Sequence, residues 1–185
     1  LTHKALTEAA IKEGLVQAAE NGKIHKVNVS ADESVLIPAL QNHDVSKPIP
    51  KGDLLLATYY SLSKLLMQND EHVYFDLLII EEASQAFLTT IAGFASLSKK
   101  ILIVGDFMQL QPIVLEEKRA INIDKNILTL IHGLKTYSTN NEVFSYRLIN
   151  SYRLTKQSAD QTGIFYDNSL KSLSSEKGKI VFKYF

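Results

Sequence analysis

The chain has 185 residues, 45% hydrophobic and 22% charged, enough for about one domain with a packed core. Twenty basic residues balance twenty acidic ones, so net charge singles out neither nucleic acid, nor membrane, nor an acidic partner, although a local basic groove is compatible with neutrality. There is no cysteine for disulfides or thiolate metal sites, no apolar run near the roughly 18 residues of a membrane span, and no signal-peptide pattern, so a cytoplasmic or nucleoid-associated protein is expected.

Leu1 opens the chain without a methionine and in what reads as the middle of an element, so a piece of a longer protein is expected. Apolar residues at Leu6, Ala9, Ala10, Leu15, Val16 and Ala19 have helical spacing and predict a helix over Ala5–Ala19, with Gly22 as its stop. Alternation predicts a strand from Ile24 to Val29. Ser30, Asp32 and Ser34 are candidate caps of a short helix through Leu40. Asn42 to Gly52 holds two of the four prolines, with polar residues between them, and is predicted as loop. Leu54–Thr58 predicts a buried strand, and Ser61 opens a helix through Leu62, Leu65 and Leu66.

Two apolar runs follow, each ending abruptly in acid. Leu77–Ile80 runs into Glu81 and Glu82, and Ile101–Val104 runs into Gly105 and Asp106. Short runs of Ile, Leu and Val fit parallel strands buried on both faces, and a helix over Ala86–Leu97 joins them. Further on, helices are predicted over Ile127–Leu134 and Lys156–Leu170, the latter with an apolar side of Ile164, Phe165 and Leu170. Strands are predicted over Val143–Leu154 and Ile180–Phe185. Repeated strand–helix alternation argues for a parallel, three-layer α/β domain.

Ligands of open α/β sheets bind outside the carboxyl ends of the strands, where both acidic clusters fall. Neighbouring carboxylates in strand geometry point to opposite faces, which argues against a glycosidase-like pair. A division of labour fits better: one carboxylate faces a hydrated Mg²⁺, and the other orients water attacking a phosphoryl group. Gln109, three residues after Asp106, can bond both that water and a γ-phosphate oxygen. Gly105 permits a close backbone approach, and Pro112 fixes the following turn.

FDLLIIEEASQ (75–85) resembles helicase motif II, the Walker B element, and ILIVGDFMQLQP (101–112) resembles motif III, of the superfamily 1B helicases related to the nonsense-mediated-decay helicase. In the family's order, LTHKAL (1–6) resembles motif Ia, LLLATYYSL (54–62) the segment before motif II, and SYRLTKQSADQTGIFYDNSL (151–170) the motif IV region. The resemblance implies an α/β, RecA-like P-loop NTPase domain, incomplete on its N-terminal side. Residues 1–155 would be a partial first motor domain, and 156–185 the start of the second or connecting elements.

By the same resemblance, Glu82 is the catalytic base, Gln109 the γ-phosphate and water sensor, and Arg153 a γ-phosphate contact. Glu81 would hold Mg²⁺ through water, Gly105 and Asp106 would line the nucleotide site, and Tyr152 would pack beneath it. Thr2, His3 and Lys4 would lie along single-stranded DNA or RNA, with Thr58 and Tyr59 nearby. ATP and Mg²⁺ are the implied cofactors, and the rest of a helicase chain is the implied partner.

The chain departs from the family pattern in three places. Glu81 stands where Asp is common, and Ser151 where Gln often precedes the Tyr-Arg. No GxxxxGK[ST] is present, because Gly22-Lys23 and Gly178-Lys179 are both followed by Ile. Without that loop nothing cradles the β- and γ-phosphates, so the chain by itself is expected neither to hydrolyse ATP nor to unwind. The alternative is a degenerate RecA-like docking or regulatory module. A different P-loop motor, of a transporter or recombinase, is disfavoured by GDFMQLQP together with SYRL.

Overall fold

The computed structural model describes residues 2–68, 72–110, 112, 132–139 and 142–175. The chain divides into two compact units, Leu1–Thr139 and Asn140–Phe185. The sequence reading places the division later, after residue 155.

The first unit opens with α1 (His3–Ala10), capped by the Thr2 hydroxyl, which accepts the Ala5 N–H at 3.3 Å. Leu6, Thr7 and Ala10 are its buried residues. The long helix predicted here is broken: Lys12 is extended, residues Glu13–Leu15 form a 3-10 turn, and α2 (Val16–Glu20) follows. Gly14 sits at that break, where its backbone freedom makes a continuous helix costly by about 1 kcal/mol. Gly22, at φ +66°, ends α2 as expected.

Strand β1 (Ile24–Lys26) is shorter than predicted because Asn28 turns left-handed at φ +61°. Ser30 is the cap actually used by α3 (Ala31–Leu36), in a capping box with Glu33. That helix stops before Pro38 rather than at Leu40. Two parallel neighbours flank β1 in the order β2-β1-β3, with β2 at Gln41–Asn42 and β3 at Leu54–Leu56. Ala10, Ala19, Ile24, Ile37 and Leu40 form a small core beneath this sheet.

Helix α4 (Tyr59–Gln68) starts two residues earlier than predicted, after the Thr58 hydroxyl accepts the Ser61 N–H at 3.2 Å. Strands β4 (Leu78–Ile80) and β5 (Ile101–Ile103) are joined through a 3-10 turn (Ala83–Gln85) and α5 (Leu88–Ala95), and pair in parallel. The larger core gathers Leu62 and Leu65 of α4, Ile80 of β4, Ile91 and Phe94 of α5, and Leu134 of α6 (Gly133–Thr139). Each such side chain, fully buried, contributes roughly 1.5–3 kcal/mol.

All of these helices lie on the Ile80 side of the β4–β5 pair. The expectation of burial on both faces is therefore not met: Leu77, Ile79 and Leu102 are each about half exposed. Of the helix predicted over Ile127–Leu134, residues 127–131 lie outside the described residues.

In the second unit, β6 (Asn150–Ser151) and β7 (Lys171–Ser172) pair in parallel around α7 (Lys156–Gly163). The long strand predicted over Val143–Leu154 reduces to Asn150–Ser151. Phe144, Tyr146 and Leu148 are about nine-tenths exposed, and among the described residues no neighbouring strand pairs with them, so their β-propensity finds no cross-strand contact to act through. The helix predicted through Leu170 ends at Gly163, followed by a 3-10 turn (Ile164–Tyr166) and left-handed Asp167 and Asn168. Ile164 and Phe165 are exposed rather than packed. The strand predicted over Ile180–Phe185 lies outside the described residues. No helix among the described residues is long and apolar enough to cross a membrane.

Candidate nucleotide site

The parallel register pairs Ile80 with Ile103, so the exits of β4 and β5 leave the sheet side by side. Two backbone bonds continue the ladder past the strands: Val104 N–H donates to the Ile80 carbonyl (2.8 Å), and Ala83 N–H to the Val104 carbonyl (2.9 Å). Glu81 and Glu82 are thereby set beside Gly105 and Asp106.

Strand geometry ends at Glu81. Glu82 is left-handed at φ +56°, so the alternation that sends adjacent side chains to opposite faces does not extend to it. A non-glycine residue there costs about 1 kcal/mol or more and persists only where its surroundings enforce it. Gly105 helps to enforce it. A Cβ at that position would lie 2.9 Å from the Ala83 nitrogen, 3.1 Å from the Ser84 nitrogen and 2.8 Å from Leu134 Cδ2. The close approach expected of Gly105 is therefore made against the turn that follows Glu82.

Tyr59 supports the same turn from α4. Its hydroxyl donates to the Glu81 carbonyl at 2.7 Å, and its ring meets Phe94 edge-on at 5.8 Å. Burial, together with the nearby Glu81 and Glu82 charges, pushes the Tyr59 hydroxyl well above its ordinary value. Partial burial and then the Glu82 carboxylate raise Glu81. A carboxyl whose ionisation a neighbouring carboxylate makes costlier is a chemistry that a cation or a transferred proton relieves.

After β5, Asp106 organises its own loop. Its carboxylate accepts the Met108 N–H at 3.0 Å and the Gln109 side-chain amide at 3.3 Å, and its carbonyl accepts the Gln109 N–H at 3.1 Å. Gln85, not singled out from the sequence, donates its side-chain amide to the Leu110 carbonyl at 2.5 Å and ties the two exit turns together. Beside it, the buried Ser84 hydroxyl has no hydrogen-bond partner among the described residues. The signal for both was the small-polar run Ala83-Ser84-Gln85 directly after the acids.

At the start of the chain, Thr2, His3 and Lys4 are exposed, Thr2 as a cap. His3 Nδ1 lies 3.2 Å from the Nζ of Lys26, a fully buried lysine that also donates to the Asn28 carbonyl and the Glu33 carboxylate, each at 2.9 Å. Glu33 further accepts the Ser30 N–H and the Thr7 hydroxyl. Burial opposes its ionisation, yet the Ser30, Thr7 and Lys26 bonds outweigh burial and lower it to about 2. This network was missed in the sequence; the Ser30-x-x-Glu33 spacing signals its capping half, whereas nothing local marks Lys26 as buried.

Thr58 caps α4, and Tyr59 is half-buried rather than open. Tyr152 and Arg153 belong to the second unit, both exposed on the bend after β6, with Tyr152 at 77%.

The described residues hold no cluster of three carboxylates or histidines placed for direct metal ligation. The oxygen-only donors at the strand exits fit Mg²⁺ held through its waters, since that ion dehydrates reluctantly. The β- and γ-phosphates have no GxxxxGK[ST] loop in the 185 residues to receive them. A family model described as the AAA domain matches residues 19–117. No curated protein and no solved structure matches the chain. The matched segment holds β1 to β5, both acidic exits and more than half of the 185 residues, so the chain belongs to the AAA domain family, with its nucleotide-binding, P-loop NTPase-like α/β fold.

Proposed function

We propose that the chain is part of the first RecA-like motor domain, three-layered when complete, of an ATP-dependent superfamily 1B helicase or translocase acting on single-stranded DNA or RNA. The observation that carries this reading is the side-by-side exit of β4 and β5, with Glu82 left-handed and the turn that follows it packed against Gly105. Glu82 takes the proton of the attacking water, and Gln109 orients that water against the γ-phosphate. Glu81 would hold Mg²⁺ through water, and the ion would supply neutralising charge for the phosphates. Asp106 and Gly105 shape the loop around the nucleotide; by the family resemblance Arg153 would contact the γ-phosphate, where a guanidinium stabilises developing charge, and Tyr152 would pack rather than take part.

On the strand side, Lys26 has only protons to offer, so the His3 Nδ1 facing it is the acceptor and its N–H lies on Nε2. That N–H, with Thr2 and Lys4, contacts phosphates. Thr58 and Tyr59 join this side to the acidic turn through the bond from Tyr59 to Glu81.

The 185-residue chain is expected to hydrolyse no more ATP than its Glu82→Gln variant. In a chain that also carries a GxxxxGK[ST] loop, strand-stimulated hydrolysis is expected, and Glu82→Gln should lower kcat by about 100-fold or more with KM little changed. Unchanged turnover in that variant sinks the assignment. The second reading, a docking module without ATPase activity, draws on Glu81 in place of Asp and on the missing loop. A coding sequence upstream of Leu1 that lacks GxxxxGK[ST] decides for it.

A further inference from the structure

A cavity of about 400 Å³ opens beyond the carboxyl ends of β1 and β2, beside the first turns of α4. Open α/β sheets take ligands at that end of their strands, yet none of the residues nominated from the sequence lines it. Tyr60, a residue 71% exposed, lines it, and Lys64 Nζ sits 4.8 Å from the centre of its ring. An aromatic ring held open beside a cavity is a stacking platform.

The rest of the wall mixes Val27 and Val45 with polar groups that are held in place. Asn42 Oδ1 accepts the Val29 N–H at 3.2 Å, which orients the amide and leaves its NH₂ to donate. Asn28, left-handed, is anchored through its carbonyl to the buried Lys26. His43 bonds the Lys47 carbonyl at 3.1 Å and stands edge-on to His25. The Ser46 hydroxyl (2.7 Å) and N–H (3.1 Å) both bind Asp44 Oδ1 and keep the carboxyl below its usual range. Its other oxygen is left as an acceptor. One lysine, already over a ring, against one carboxylate is a poor set for a bare phosphate and a good one for a flat ring with N–H donors on its edge.

We propose, on the strand-binding reading above, that this cavity takes one unstacked guanine base of a single strand, its face on Tyr60 and its N–H edge on Asp44. Guanine offers two neighbouring N–H donors to a carboxylate, and thymine and uracil offer one. Contacts through phosphates carry no sequence information, so this base would be where the strand contact reads sequence.

Two measurements on the 185-residue chain test the proposal separately from the strand reading. In ¹⁵N NMR titrations, guanosine monophosphate should shift the amides of Asn42, His43 and Ser46, and uridine monophosphate should shift them less. Tyr60→Ala and Asp44→Asn should abolish the difference, while Tyr60→Phe keeps it. By fluorescence anisotropy, a short oligothymidine with one central guanosine should bind about five-fold or more tighter than plain oligothymidine, a gain that Tyr60→Ala removes. Equal shifts with both mononucleotides, or a Tyr60→Ala chain that behaves as wild type, overturns the cavity assignment even if oligothymidine binds. Guanosine monophosphate shifts with no oligonucleotide binding overturn the strand reading, and with it the strand as the source of the base.

Discussion

Two glycines make opposite demands on a methyl group. At Gly105 an added Cβ meets backbone nitrogens and Leu134 inside 3.2 Å, whereas at Gly14 nothing lies within 4 Å. Gly105→Ala is expected to lower unfolding free energy by about 2 kcal/mol, and Gly14→Ala to raise it by about 0.5 kcal/mol, in urea denaturation. A destabilised Gly14→Ala chain and an unaffected Gly105→Ala chain would contradict this packing. Glu33 makes a pH-dependent contribution. Its folded value, about 2, lies below its ordinary 4.5, so its stabilisation is fully present above about pH 4.5 and is lost as pH falls towards 2. Glu33→Gln should remove that slope and, by stranding the buried Lys26, cost about 3 kcal/mol, and Lys26→Met in the same chain should restore part of it. The acids and amides at the strand ends were legible as single letters, whereas Lys26 was not. Nothing in a short alternating run distinguishes a lysine that faces water from one held by a glutamate seven residues on.

Elements were legible where local signals agreed and illegible where a neighbour decided. β4, α5 and β5 lie where apolar runs predict them, and Gly22 stops α2 as read. The open face of the β4–β5 pair was not foreseen, because an unbroken apolar run looks the same whether one face or both are covered. Ile80→Ala is expected to cost about 2–4 kcal/mol and its neighbour Ile79→Ala under about 1 kcal/mol by chemical denaturation. Equal losses would mean that Ile79 is covered after all. The predicted strand over Val143–Leu154 shows the converse. Its aromatic and β-branched residues favour extension, but a strand is held by cross-strand bonds that only Asn150–Ser151 makes among the described residues.

At the scale of the molecule, the chain is two compact units dividing between Thr139 and Asn140. A chain ending at Thr139 is therefore expected to keep its cooperative unfolding and its circular dichroism, since both cores of the first unit lie within it. Loss of cooperativity on that truncation would show that the second unit is needed for the first to fold. The sequence by itself determined the alternation of strands and helices, the acids and glycine at the two strand exits, and the absence of a phosphate loop. These are matters of residue type at fixed spacing, and backbone sterics and hydrophobic periodicity act on them locally. Only tertiary structure decided that Glu82 turns left-handed ahead of a turn packed on Gly105, that Lys26 is buried and paired, that one sheet face stays open, and that Tyr60 borders a cavity. Each of those depends on which distant segment arrives beside it, and contacts between distant segments leave no period in the chain.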